Sequence, residues 1–212
     1  MLRCVNMRRK NELFTDFVYG SGIEKQSSNC YAFSIDWLGK EKKKLQPGEI
    51  SKTLKDSDDN TDPKTLKKHI LADLKTKKNC GYLSTPSAKC KPSYYKIMAF
   101  VDPGVDYHFY KQVGDAIIDT DGKSANTLSR NMKVNKKQIE LPPNSNKVLV
   151  KNSGIWAHKR GLGELTVKDA SGKYILDPRK ADRNYGKLNY TKYVGTFCVH
   201  KDFGKGEDVS CV

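Results

Sequence analysis

A cysteine thiol becomes a nucleophile when an imidazole can take its proton and a third polar group holds that imidazole in one tautomer. This chain offers one set of residues in the order such a site needs. Cys30 stands in Ser28-Asn29-Cys30-Tyr31-Ala32, His108 in Asp106-Tyr107-His108-Phe109-Tyr110, and His158 in Gly154-Ile155-Trp156-Ala157-His158. Alternation along a strand puts Asp106, His108 and Tyr110 on one face. A helix carrying Cys30, packed on a sheet whose neighbouring strands carry His108 and His158, brings the three together as a Cys–His–His set. In the first turn of a helix the thiol also faces N–H groups and the positive end of the dipole, which predicts a stabilised thiolate and a lowered pKa. Asp177 and Asp182 are alternative third groups, although Asp177-Pro178 reads as a turn and Arg179, Asp182 and Arg183 suit a surface ion network. Each of these residues has a structural reading too: cysteine is among the most buried residue types, and a strand histidine commonly satisfies a local hydrogen bond.

The elements that must position these groups are legible as periodicities. Cys30, Phe33, Ser34, Trp37 and Leu38 share a face at helical spacing, which predicts a helix over Cys30–Leu38, capped by Ser28 or Asn29 and stopped by Gly39. Asp62-Pro63 predicts a second helix start, with Leu66, Ile70, Leu71 and Leu74 as its buried stripe, Gly81 beyond its end, and His69 beside the stripe as a partly exposed structural histidine. Strands are predicted over Tyr94–Val101 and Asp106–Val113, joined through the turn Asp102-Pro103-Gly104 as a hairpin across which Tyr94, Tyr95, Tyr107 and Tyr110 pack. Further short strands are read at Val148–Val150, Ile155–His158, Tyr174–Leu176 and Tyr193–Val199, with a turn at Asp169-Ala170-Ser171-Gly172. Residues 114–146 are polar, with few apolar anchors. Helices early and strands late predict an α+β domain on an antiparallel sheet. The expected layout is an N-terminal arm over 1–28, one domain over 29–200, and a C-terminal tail over 201–212.

Composition narrows the function classes. Hydrophobic residues are 37% of the 212 positions and charged residues 30%, enough for a core beneath a wet surface. No run approaches the roughly 18 apolar residues of a membrane span. Polar Asn11-Glu12 follows the basic start, where a secretory leader would turn hydrophobic. The expectation is therefore a non-secreted, intracellular chain, with Cys4, Cys80, Cys90, Cys198 and Cys211 mostly plain buried thiols. No CxxC pair occurs, Cys80 and Cys90 lack the spacing of a zinc knuckle, and Gly161-Leu162-Gly163 lacks the lysine of a phosphate loop, so no metal or cofactor is expected. The net charge of +15, with lysine knots at 40–44, 64–68 and 75–78, favours acidic surroundings and allows non-specific nucleic-acid contacts. No nucleic-acid-binding motif accompanies that charge.

The order helix Cys, strand His, then a polar group on a later strand resembles the papain-like fold in its compact form, shared by cell-wall peptidases and amidases. A closer resemblance is to a little-characterised group of such proteins found in large DNA viruses, phages and bacteria. It rests on Asn29-Cys30-Tyr31-Ala32, Asp106–Gln112, Trp156–Gly161, Asp169–Gly172, Asp177–Arg183 and Gly195–Val199, in that order and weighted to residues 94–199. The resemblance implies a papain-like α+β fold with Cys30 as nucleophile, His108 as base and His158 as orienting group. In that group the two His-bearing strands are joined by a short turn, whereas here the histidines lie 50 positions apart. Residues 114–153 therefore read as an insertion able to cover or remodel a cleft.

Two functions follow as expectations. One is a cysteine hydrolase or transferase acting on an amide, isopeptide or thioester bond of a peptide-like substrate. The other is a non-catalytic, basic component of a virus particle, a minor capsid or internal virion protein reusing the fold and contacting other virion proteins. Plain nucleic-acid binding would rest on charge alone.

Overall fold

The computed structural model describes residues 28–37, 44–140, 146–161, 163, 165–205 and 211. The arm, the lysine knot at 40–43, Leu38 with Gly39, and the Pro142-Pro143 pair lie outside these residues.

Among the described residues nine strands, all paired antiparallel, form two sheets. In chain order they are β1 (Gly81–Ser84), β2 (Tyr94–Asp102), β3 (Asp106–Gln112), β4 (Ala116–Asp119), β5 (Ile139–Glu140), β6 (Lys147–Val150), β7 (Trp156–Lys159), β8 (Leu165–Thr166) and β9 (Lys192–His200). The main sheet runs β1-β9-β2-β3-β7-β8 and the smaller one β4-β6-β5. Three α-helices accompany them: α1 (Cys30–Ser34), α2 (Pro63–Lys75) and α3 (Ala125–Met132). The α+β class is as the sequence predicts.

Local chemistry explains the elements around the site. In α2 the Asp62 carboxylate caps the Thr65 N–H, Pro63 occupies the first turn, and Leu66, Ile70 and Leu74 are fully buried. Each such side chain contributes about 1.5–3 kcal/mol by leaving water. β2 and β3 are a hairpin whose turn needs Gly104 at φ +76°. Alternation gives the hairpin two faces. Tyr95, Ile97, Ala99, Val101, Tyr107 and Phe109 join α1 and α2 in one core, while Met98, Phe100 and Tyr110 join Trp156, Ile175 and Tyr190 in another.

Several expectations need correction. Helix α1 is one turn, shorter than predicted: Asp36 adopts φ +53° and its carboxylate bonds the Lys111 ammonium, which is wholly buried on β3. His69 is not partly exposed; it has no exposed surface, and the 56–62 loop folds over it, Asn60 Oδ1 lying 2.7 Å from Nδ1 and Asp58 Oδ2 3.3 Å from Nε2. Residues 114–146 are polar but not short of anchors. With β6 they build the small sheet and carry α3, and Ile118, Leu128 and Met132 close a core with Val113, Val148, Val150, Ile155 and Ala157. The polar look arises because the apolar anchors are spread over short elements. Tyr174–Leu176 is not a strand; Lys168 and Tyr174 form an isolated bridge, and the Ile175 carbonyl accepts the Trp156 N–H at 2.9 Å.

Four of the cysteines are also not plain thiols. Cys80 is bonded to Cys211 and Cys90 to Cys198. The C-terminal segment is tied down accordingly, with Phe203 fully buried in a 3-10 turn (Phe203–Lys205). Gly204 packs so closely on the end of α1 that a Cβ there would sit 1.9 Å from the Asp36 carbonyl oxygen, so only glycine fits.

Candidate active site

The pairing of β3 with β7 sets Tyr110 opposite His158, which leaves His108 one diagonal step away on the same face. The two imidazoles meet there, with His108 Nε2 2.7 Å from His158 Nδ1. His158 Nε2 in turn lies 3.0 Å from the Lys168 carbonyl oxygen. A carbonyl can only accept, which fixes every proton in the chain. His158 carries its hydrogen on Nε2, its Nδ1 accepts from His108 Nε2–H, and His108 Nδ1 keeps a lone pair. Tyr190 stacks on the His108 ring at 4.8 Å and 23°, and its hydroxyl donates to Asp106 Oδ2 at 2.8 Å. Tyr185 and Tyr110 close the remaining sides of the pair.

Cys30 reaches the site from the other face. Of the two cap candidates, Ser28 and Asn29, it is Asn29 that caps α1 by accepting the Ala32 N–H, and its own side chain donates to the Leu45 carbonyl at 2.8 Å. This fixes Cys30 in the first turn. β7 pairs with β3 only over Tyr110–Gln112, so the earlier part of β3 faces the thiol instead of a strand. Cys30 Sγ lies 3.9 Å from the Tyr107 carbonyl oxygen, and the Phe109 N–H is directed at the same sulfur. His108 is the residue between those two backbone groups. The thiol thus lies against the free edge of β3 at Tyr107 and Phe109, and the imidazole pair lies on the face that His108 shares with Tyr110. The hydrogen bond drawn by the thiol is to Tyr107, not to His108.

Electrostatics departs from the expected thiolate. Burial pushes the Cys30 thiol up to about 12; the Asp106 carboxylate adds to this, while the N–H groups of Phe109, Tyr31 and Cys30 oppose it. A five-residue helix whose thiol is 6% exposed cannot offset the loss of water. His108 is held well below the ordinary imidazole range by burial, with the neighbouring His158 and Arg160 acting in the same direction. Burial likewise pushes His158 down to about 4, against the pull of the Lys168 carbonyl. At neutral pH the thiol and both imidazoles are neutral.

The alternative third groups are engaged elsewhere. Asp177 pairs with Arg179 at 2.7 Å, and Asp182 Oδ1 accepts the Asn184 N–H. Among the described residues no cluster of His, Cys, Asp or Glu is disposed to hold a metal ion. Sequence reasoning missed Tyr185 and Tyr190, which come from the irregular stretch before β9. Their only signal is an aromatic spacing in a segment without periodicity. Comparison with protein-family models, with curated proteins and with solved structures finds no match for this chain.

Proposed function

We propose that the chain is a cysteine hydrolase or transferase of papain-like arrangement, acting on an amide, isopeptide or thioester bond. The observation that carries this reading is the hydrogen-bond chain from the Lys168 carbonyl through His158 to His108, which leaves a lone pair on Nδ1 of the residue between the two backbone groups that Cys30 meets. Cys30 Sγ attacks the substrate carbonyl as its proton passes to His108 Nδ1, and His158 Nδ1 stabilises the imidazolium by accepting from Nε2–H. The N–H groups of Cys30 and Tyr31, already directed at the sulfur, are the nearest donors for the oxyanion. His108 then protonates the leaving group, and water releases the acyl group from the thioester. Because thiol and imidazole start neutral, the base acts during attack, with no preformed ion pair.

The test is acyl transfer from S-phenyl thioacetate, followed by release of thiophenol and by the mass of the acetylated protein. The wild type acetylates on Cys30 and turns over, and Cys30→Ala and His108→Ala do not, while Cys30→Ala melts within a few degrees of the wild type. Turnover retained by Cys30→Ala would remove the proposal.

A second reading is favoured by the two disulfides. Such bonds persist in oxidising surroundings, virion and cell surfaces among them, and weigh against the expected reducing interior. On this reading the protein is a basic component of a virus particle, its thiol covered and inert. Fixed stoichiometry in purified particles together with a silent Cys30 would select it. No helix among the described residues is long and apolar enough to cross a membrane.

A further inference from the structure

The histidine pair is neutral, yet the ground beside it is not. The register of β3 and β7 pairs Tyr110 with His158, and its next step on that face is His108 and Arg160. Pairing of β7 with β3 ends at His158 and with β8 at Lys159, so Arg160 follows directly on the end of β7. Its guanidinium lies over the Tyr185 ring, 5.6 Å from the centroid, and Tyr185 Oη is 3.5 Å from His158 Nε2. Arg160 is exposed, and its positive charge is felt by both His108 and His158. Among the described residues no carboxylate pairs with it, whereas the nearby Lys168 and Arg183 are committed, one to Asp121 and the other to the carbonyls of Pro178, Ala181 and Tyr190.

We infer that Arg160 is an anion-recognising residue at the mouth of the Cys30–His108 site, selecting acyl substrates that carry a carboxylate next to the bond attacked. This inference rests on the hydrolase reading above. A planar guanidinium braced on an aromatic ring presents its donors in a fixed fork that matches a carboxylate two bonds at a time. The neutral thiol and imidazoles can offer such a group no charge, so discrimination falls to Arg160. The substrate class is then a peptide-like compound with a free α-carboxylate or an acidic side chain at the scissile bond, in preference to a neutral amide.

Two alkylating reagents of nearly equal size separate this claim from the parent reading. Iodoacetate is an anion and iodoacetamide is neutral, and both modify Cys30 by the same displacement. The ratio of their rates on Cys30, each normalised to glutathione, is measured by mass spectrometry for wild type, Arg160→Gln and Arg160→Lys. The ratio is expected to fall by about tenfold in Arg160→Gln, the factor one charge-assisted contact supplies, and to lie between in Arg160→Lys, which keeps the charge and loses the fork. An unchanged ratio in Arg160→Gln overturns the Arg160 assignment while leaving the hydrolase reading standing. Iodoacetamide rates equal in wild type and His108→Ala overturn the hydrolase reading itself. Failure of both reagents to modify Cys30 in the folded protein overturns both.

Discussion

The two faces of β3 are built to different rules. Toward α1 and α2 the strand presents Tyr107, Phe109 and Lys111, and its neighbours there are aliphatic, aromatic and almost wholly dry. The charged residue that the strand itself presents on that side, Lys111, is matched by Asp36 and lies over the rings of Tyr95 and Phe33 at 4.7 and 5.3 Å. Toward the other side the strand presents Asp106, His108 and Tyr110, and three of the four ring nitrogens of the imidazole pair are hydrogen-bonded. The first face holds the fold together and the second holds protons in place. Cys30 packs with the first, and the proposed chemistry joins it to the second across the edge of β3 that β7 leaves open before Tyr110.

If that division is right, substitutions on the helix face change stability first. The largest effect is expected from Asp36→Asn, which keeps the tolerance of asparagine for φ +53° but removes the carboxylate against which the Lys111 charge is buried. Unfolding in urea should show a loss of about 3–5 kcal/mol, whereas Lys111→Met, which removes the buried charge and leaves Asp36 24% exposed to water, should lose far less. Equal losses in the two variants would break the argument that the buried charge dominates. Next in size is the covalent ties: reducing Cys90–Cys198, or replacing both cysteines by serine, should lower stability by about 2–4 kcal/mol, since the bond spans 108 positions of chain. The Cys30 alkylation rate should hardly move.

The smallest stability effect and the largest chemical one belong to the opposite face. His158→Phe keeps the ring and leaves His108 Nε2–H and the Lys168 carbonyl without partners, for about 1–3 kcal/mol of stability and a fall of about a hundredfold in Cys30 reactivity. It should also flatten a pH dependence. His158 is neutral when folded down to about pH 4, while the unfolded chain takes up a proton near pH 6.5, and His108 shifts the same way. Between those values the unfolded state binds more protons, so stability is fully present above pH 6.5 and declines as the pH falls toward 4. The carboxylates with lowered pKa, such as Asp169 and Asp177, lose their contribution only below their ordinary value of 3.8. The gap between the melting temperatures at pH 7 and pH 5 should narrow in His158→Phe, with His108 and His200 keeping the remainder. A wild-type melting temperature that is level between those pH values would contradict the assigned protonation.

Much of this was legible in the residues. The hairpin turn, the capped α2 with its Leu66–Ile70–Leu74 stripe, the Asn29 cap and the placing of His108 with Tyr110 all follow from period and turn chemistry, which act over a few residues. What could not be read is what depends on long-range meeting. The shortening of α1 depends on Lys111, 75 positions away. The disulfides join positions more than a hundred apart. The sign of the Cys30 shift follows from how deeply one turn of helix is buried, which its own sequence does not state. Tyr190, which stacks on His108, sits 84 positions beyond the Asp106 that anchors it.

The central claim is that His108 is the base for Cys30. Its most direct test is the rate of Cys30 alkylation by iodoacetamide from pH 5 to pH 10, in the wild type and in His108→Ala. The account predicts a wild-type rate at pH 7 at least about tenfold above the variant and level from pH 8 down through pH 6, because His108 stays unprotonated there. The variant rate should climb only toward the alkaline thiol. Superimposable curves that rise together at high pH would mean that the histidine pair and the thiol do not act on one another.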